Sequence, residues 1–131
     1  MSSSRDRALA IIELLVRNVR GLPMSEIGDT LGVPRSAAHR LLADLKATGY
    51  VKQDPVTSHY LLTVRLAALG LAFLAGKGIT DLAQPVLDEL AEATGELARL
   101  AVAEEDQLVW VAKAQGARTG LRYDPDSGAD V

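Results

Sequence analysis

The sequence contains no cysteine and few aromatic residues. Its 131 residues include one Trp, three Tyr and one Phe. The absence of cysteine excludes disulfides and thiolate metal sites, and it agrees with a reducing compartment. Hydrophobic residues nevertheless make up 48% of the chain. Because most of them are Leu, Ala and Val, the composition predicts a packed core and favours helices over an all-β sandwich.

Long hydrophobic runs are also missing. The apolar run near the N-terminus could be mistaken for a signal peptide, but it is interrupted by Glu13, is followed by Arg17 and lacks a small-residue cleavage site, so we predict that it is not one. No run approaches the roughly 18 apolar residues that a membrane span needs. We therefore predict a cytoplasmic protein without a membrane segment.

Residues typical of catalytic and cofactor sites are equally scarce. The chain has only two histidines, His39 and His59, and neither a dinucleotide-binding glycine motif nor a phosphate-binding loop. This composition predicts no metal, no cofactor and no enzymatic activity. Trp110 and Tyr123 could line a ligand pocket, although a lone Trp in a strand more often belongs to the core.

Charge is distributed unevenly between the two halves of the chain. Residues 1–65 contain nine Lys/Arg and six Asp/Glu, a net charge of +3, whereas residues 66–131 contain five and eleven, a net charge of −6. The overall charge of −3 conceals this difference. The asymmetry is a hint that the N-terminal half meets an anion and the C-terminal half does not; the alternative is that any two halves of a chain differ in charge by chance.

The hydrophobic period and the turn residues predict a mainly α chain with added β elements. We predict helices over 5–19, 24–31, 34–48, 64–76 and 81–94, a β-hairpin of strands 50–53 and 59–63, strands over 97–105 and 107–115, and one more strand in the tail. Ser4 is the predicted cap of the first helix, Gly32 ends the second, and Pro34 falls in the first turn of the third.

Two of these helices carry apolar faces that need cover. The 64–76 helix is apolar almost all round, and in so small a domain its predicted cover is another subunit. In the 81–94 helix, Pro85 is predicted in the first turn. The residues predicted to face inward there are Leu82, Val86, Leu87 and Leu90.

The third helix has two distinct faces at about 100° per residue. Ala38, Leu41, Leu42 and Leu45 fall on one side and are predicted to be buried. Arg35, Ser36, His39 and Arg40 fall on the other side, with Lys46 further along. No acid precedes Asp44 in this helix.

This arrangement is that of a helix-turn-helix, in which the first turns of the second helix reach base edges in the major groove. The hairpin would supply a wing, with Lys52, Thr57, Ser58 and His59 able to contact the DNA backbone. Each basic side chain taken alone could simply be a solvent-exposed residue of a helix with no binding role. Four features together favour DNA binding: the tight turn before the third helix, the length of that helix, the absence of an acid before Asp44 and the hairpin that follows.

The sequence resembles the IclR family of bacterial transcription regulators. The segments that carry the resemblance to its winged helix-turn-helix domain are RALAIIELL, MSEIGDTLGVPRSAAHRLLADLKATGYV and HYLLT; those that resemble the start of its effector-binding domain are DLAQPVLDELAEATGELARLAV and QLVWVAKAQG. Pro23 stands where the family often has a Ser or Thr cap.

The resemblance implies three parts: a winged helix-turn-helix domain (1–63), a connecting and dimerisation helix (64–78) and the start of an α/β effector-binding domain (79–131), with an incomplete effector pocket. It also implies a homodimer or homotetramer on a palindromic operator in double-stranded DNA. A small organic effector, often an aromatic or carboxylic acid, would change that binding.

The sequence therefore predicts a sequence-specific, DNA-binding transcription regulator. The predicted DNA-binding residues are Arg35, Ser36, Ala37, His39, Arg40 and Lys46 on the third helix, and Lys52, Ser58 and His59 on the wing, with Arg5, Arg7 and Arg17 as further backbone contacts. The alternative is a winged-helix protein-interaction module without a DNA target. A small-molecule-binding or enzymatic domain with a helical head is a third reading, for which no site residues converge.

Overall fold

The computed structural model describes residues 3–117 and Gly128. The described part forms α1 (Ser4–Val16), α2 (Met24–Leu31), α3 (Arg35–Ala47), β1 (Val51–Gln53), β2 (Tyr60–Leu62), α4 (Arg65–Lys77), α5 (Ile79–Thr94), β3 (Leu97–Glu104) and β4 (Gln107–Gln115). The chain divides into two units, Met1–Gly70 and Leu71–Val131, so that the division falls inside α4. The predicted strand in the tail lies outside the described residues.

The first unit is built on one apolar core. Ile11 and Leu15 of α1, Ile27 of α2 and Leu42 of α3 are its largest fully buried side chains. Full burial of such a side chain contributes about 1.5–3 kcal/mol. Three short helices and a hairpin can therefore hold α3 in one orientation. The predicted inward face of α3 is confirmed, since all four of its members are buried.

The predicted ends of the first helix were wrong. Its N-cap is Ser3, not Ser4: the Ser3 hydroxyl accepts a hydrogen bond from the Asp6 N–H at 3.2 Å, and the Asp6 carboxylate accepts one from the Ser3 N–H at 3.1 Å. At the other end, the Asn18 side-chain amide donates to the Leu14 carbonyl at 2.9 Å. Val19 is 79% exposed. Without burial to gain there, the helix ends at Val16.

The hairpin packs against the segment between α1 and α2. β1 and β2 are antiparallel, with Lys52 opposite Leu61, and an isolated bridge joins Leu22 to Tyr60. Gly21 makes this approach feasible. Its φ is +85°, and a Cβ there would lie 2.7 Å from the Tyr60 carbonyl oxygen. A side chain at this position would push the hairpin away.

α4 is an apolar helix that stays uncovered. Within the part of the chain that the structure describes, none of its side chains is buried, and Leu69, Leu71 and Phe73 are 48%, 68% and 64% exposed. No single helix in the described part of the chain is long and apolar enough to cross a membrane. Taken together, α4 and α5 have the length and apolar composition of a membrane span, but a sharp bend separates them.

In the second unit α5 packs on one face of an antiparallel pair, β3 and β4, whose register shifts between Leu100 and Ala101. The helix starts at Ile79, two residues earlier than predicted, because Gly78 adopts a left-handed N-cap conformation. Pro85 consequently lies inside the helix and not in its first turn, which corrects the prediction.

The predicted inward face of α5 was also wrong in three of its four residues. Leu87 is buried, but Leu82, Val86 and Leu90 are 80%, 63% and 52% exposed. The helix turns Leu87 and Ala91 to the sheet. A two-stranded sheet covers only a narrow stripe of a helix, so the neighbouring leucines remain outside.

Candidate nucleic-acid interface

The turn between α2 and α3 is tight and closely packed. Gly32 ends α2 in the left-handed conformation, with φ of +66°, and the Val33 N–H donates to the Gly28 carbonyl at 3.0 Å. Gly28 is buried, and a Cβ built on it would lie 3.7 Å from the Cβ of Ala38. The two helices therefore pack closely around a small residue, and this fixes the start of α3.

The start of α3 presents unpaired backbone donors. Pro34 is its N-cap, one residue before the first turn where it was predicted, and provides no side-chain cap. The N–H groups of Arg35, Ser36 and Ala37 form no hydrogen bond within the described residues. A helix N-terminus carries partial positive charge, and Arg35 adds a full one. This end of the helix is suited to an anion.

The outward face of α3 is polar and basic. Arg35, Ser36, His39, Arg40 and Lys46 are all exposed. The helix has no acid in its first turn and a lysine in its last. Of the predicted residues on α3, only Ala37 departs from this pattern, since it is half-buried.

A groove runs between this face and the wing. It has a volume of about 260 Å³ and is lined by His39, Ala43, Lys46, Gln53 and Tyr60. The structure thus brings predicted residues of α3 beside the hairpin. The sequence analysis did not predict Ala43 and Gln53 as part of this surface. Ala43 follows His39 by one helical turn, which could have indicated it, whereas Gln53 carries no such signal.

The turn of the wing is organised by Asp54. Its carboxylate accepts hydrogen bonds from the backbone N–H groups of Thr57 at 3.0 Å and Val56 at 2.7 Å, and these hold the pKa of Asp54 below its ordinary value. The Ser58 N–H donates to the Asp54 carbonyl at 2.9 Å, and Ser58 has φ of +64°. The wing is therefore a defined turn.

The wing residues that the sequence predicted are placed unequally. Lys52 and Ser58 are exposed. His59 is half-buried, and its backbone is engaged in the turn, since its carbonyl accepts a hydrogen bond from the Asp54 N–H at 2.8 Å. The Gln53 amide donates to the Ser58 carbonyl at 3.1 Å and joins the two arms of the hairpin.

The three arginines predicted as backbone contacts lie on or just after α1. Arg5 and Arg17 are exposed, and Arg7 is half-buried. The Nε of Arg7 is buried and has no hydrogen-bond partner among the described residues. In the same part of the chain no group of three or more His, Cys, Asp or Glu is placed to hold a metal ion.

The comparisons with known proteins agree with this geometry. A family model described as the IclR helix-turn-helix domain matches residues 4–55, which include α1 to α3 and β1. The chain is 33% identical over 121 residues to the DNA-binding transcriptional repressor YiaJ of Escherichia coli (strain K12), a match that covers 92% of this chain. The chain belongs to the IclR family.

A second relative is the glycerol operon regulatory protein of Streptomyces griseus, which is 36% identical over 108 residues and matches 82% of this chain. The matches cover 43% of the YiaJ repressor and 42% of the glycerol regulator. The chain thus spans less than half the length of these two relatives.

Solved structures show the same fold across both units. An IclR family transcriptional regulator from Brucella abortus has a TM-score of 0.78 at 24% identity, with 99% of this chain and 49% of that chain covered. An IclR homologue from Microbacterium hydrocarbonoxydans, solved with 4-hydroxybenzoate, has a TM-score of 0.80 at 19% identity. The match covers 98% of this chain and 53% of that chain. The winged helix-turn-helix and the partial α/β domain are thus the family's fold.

Proposed function

We propose that this IclR-family chain is the DNA-reading part of a transcription regulator and binds double-stranded DNA in a sequence-specific way. The observation that carries the proposal is the exposed face of α3, on which Arg35, Ser36, His39 and Arg40 surround an uncapped helix N-terminus. The names of the curated relatives, a DNA-binding repressor and an operon regulatory protein, support the same function.

In this proposal α3 enters the major groove and its first two turns meet the base edges. Arg40 would hold a guanine edge with two parallel hydrogen bonds, and Ser36 and His39 would bond bases or phosphates. The free N–H groups at the start of α3 would bind a phosphate. Lys46 and the wing residues Lys52 and Ser58 would contact the backbone on either side of the groove described above.

We further propose that the chain binds a palindromic operator as a homodimer or homotetramer. The support is α4, where Leu69, Leu71 and Phe73 are exposed on a helix that has a lysine as its only charge after Arg65. Large exposed apolar patches mark association surfaces. A two-fold pair of α3 helices would read half-sites about one helical turn of DNA apart.

A small organic effector would regulate the whole protein. The structural neighbour solved with 4-hydroxybenzoate supports this part of the proposal, together with the resemblance of β3 and β4 to the start of the family's effector-binding domain. Under this proposal the chain regulates transcription and catalyses no reaction.

The test is selection of bound duplexes from a random-sequence DNA pool at two salt concentrations. We expect affinity to fall steeply with salt, because neutralised phosphates release counterions, and we expect a palindromic motif to be enriched. Salt-dependent binding without enrichment would overturn sequence-specific reading. Absence of binding at low salt would overturn DNA binding altogether and favour a protein-interaction module.

A further inference from the structure

One threonine hydroxyl links the end of α3 to the start of α4 inside the first unit. The Thr63 Oγ1 donates a hydrogen bond to the Gly49 carbonyl at 2.6 Å and accepts one from the Arg65 N–H at 3.2 Å. Gly49 follows the C-cap residue of α3, and Arg65 is the first residue of α4. Because a hydroxyl can donate and accept at the same time, one side chain joins the ends of two helices.

The end of α3 at this link is itself fixed. The Gly49 N–H donates to the Lys46 carbonyl at 3.1 Å, and the φ of Gly49 is +87°. The Tyr50 N–H donates to the Leu45 carbonyl at 3.0 Å. These two bonds form the Schellman pattern that closes a helix. Since Leu45 is buried in the core of the first unit, a shift of the Gly49 carbonyl would disturb α3 as well.

A ring contact holds the side chain of Arg65 against the same turn. Its guanidinium carbon lies 5.2 Å from the centroid of the Tyr50 ring, within the range of a cation–π interaction. The Thr63 N–H also donates to the Tyr50 carbonyl at 2.9 Å. Thr63 is half-buried, whereas Arg65 is exposed. Water weakens the ring contact more than the hydroxyl bonds, so Thr63 is the main link.

We propose that Thr63 is a positioning residue, which fixes the first turn of α4 relative to α3 and thereby sets the half-site spacing that a pair of chains accepts. This inference rests on the proposed function, in which two copies associate through α4. Leu69, one helical turn after Arg65, belongs to the exposed apolar surface that supports this association. Spacing is sensitive to such an angle, because each added base pair rotates a half-site by roughly 35° about the DNA axis.

The size of the effect follows from the two bonds of the hydroxyl. One hydrogen bond contributes about fivefold to an equilibrium constant, so breaking both costs roughly 25-fold. A parent chain must break them to turn α4 towards a site of the wrong length. Thr63→Val, which replaces the hydroxyl by a methyl group, has no such bonds to break. Its loss of affinity for a wrongly spaced site should be smaller than the parent's by about 5-fold to 25-fold.

The test uses the full chain and the duplex enriched by selection, with the separation of the half-sites changed by one base pair at a time. Fluorescence anisotropy measures the affinity for each spacing. We expect the parent to prefer one spacing and Thr63→Val to show a flatter profile with an unchanged base preference within each half-site. Thr63→Ser keeps the hydroxyl and should keep the parent's profile. Circular dichroism and the melting temperature check that each variant is folded.

Thr48→Val is the matched control within the same turn. The Thr48 hydroxyl contacts the carbonyls of Asp44 and Leu45 at 3.2 Å and 3.1 Å, both of which belong to α3 itself. This variant therefore removes a hydroxyl from the end of α3 without removing a bond to α4. It should keep the parent's spacing profile.

A second measurement needs no DNA. Residual dipolar couplings report the orientation of backbone amides, and in the parent the couplings of α3 and of residues 65–70 should fit one alignment tensor. In Thr63→Val the couplings of residues 65–70 should depart from the tensor of α3. In Thr63→Ser and Thr48→Val they should still fit it.

The positioning role would be overturned by a folded Thr63→Val that keeps the parent's spacing profile, or whose residues 65–70 still fit the tensor of α3. It would also be overturned if Thr48→Val or Thr63→Ser flattened the profile as strongly as Thr63→Val. A parent chain that binds no DNA would overturn the proposed function and the role in spacing with it. The dipolar couplings would then still decide whether Thr63 fixes α4 to α3.

Discussion

Replacing Arg40 gives the sharpest test of how α3 reads DNA. At about 100° per residue, the four buried side chains of α3 centre on one direction, and Arg40 points about 150° away from it, whereas Lys46 points about 90° away. Arg40 therefore lies near the crest of the helix, where it would reach deepest into a groove. Lys46 lies on the flank beside the wing.

The size of the effect follows from that placement. If Arg40 donates two hydrogen bonds to a guanine edge, Arg40→Ala removes about 1–3 kcal/mol of discrimination at one base pair, which is roughly 5-fold to 150-fold in affinity. Arg40→Lys keeps the charge but not the paired donors. We expect it to retain non-specific binding and to lose most of the preference at that base pair.

The assay is fluorescence anisotropy on the duplex enriched by selection and on the same duplex changed at one position at a time. Because Arg40 is exposed, neither variant should lower the melting temperature. Arg20→Ala, which removes an exposed cation from the segment between α1 and α2 that is not among the predicted DNA contacts, is the control for net charge. The base-reading role would be refuted if both Arg40 variants kept the parent's affinity and its full sequence preference.

Four further predictions concern the wing and two glycines. Lys52→Ala should weaken binding to all sequences alike and lower the salt slope by about one, and a changed base preference at an unchanged slope would contradict a phosphate contact. The hydrogen bonds to Asp54 lower its folded pKa, so their stabilisation is complete above its unfolded pKa and is lost as pH falls through the lower folded pKa. The protection factors of the wing amides, which are exchange rates relative to the intrinsic rate at the same pH, should fall there in an NMR titration. Protection factors that do not change with pH would contradict this role of Asp54. Gly21→Ala should destabilise the fold by about 1–3 kcal/mol in urea unfolding, because of its positive φ and the nearby Tyr60 carbonyl. Gly70→Ala, in open space within α4, should raise stability by up to about 1 kcal/mol, and equal effects of the two glycine changes would refute the steric argument.

The features that the sequence predicted correctly are those with a strong period and one clear core. On α3 the apolar residues repeat every three to four positions, and a single core takes all of them. α5 has an equally apolar sequence, but in the part of the chain that the structure describes its partner is only two strands wide. Periodicity shows that a helix has an apolar side. It does not show how much of that side a neighbour covers, so Leu82 and Val86 were assigned inward wrongly.

The ends of elements depended on single hydrogen bonds that a pattern does not reveal. Ser3 and Ser4 are equally suited to cap a helix by residue type, but Ser3 is the cap because Asp6 lies three residues after it and completes the capping box, a spacing that the sequence analysis did not use. Gln53 lines the groove because of the register in which the three-residue strand β1 pairs with β2, and the sequence pattern does not show that register. The contact of the Arg99 guanidinium with the Trp110 ring needs the register shift between Leu100 and Ala101, which puts Trp110 on the face of the sheet that α5 does not cover.

The N-termini of α1 and α3 are capped differently. α1 begins with a capping box and an acid in its first turn, which together satisfy its free donors and its dipole. α3 begins with Pro34, which has no capping side chain, and then places Arg35 where a positive charge opposes the dipole. A missing cap costs about 1 kcal/mol. Because the core fully buries Leu42, α3 tolerates that cost, and its open positive end remains available to a phosphate.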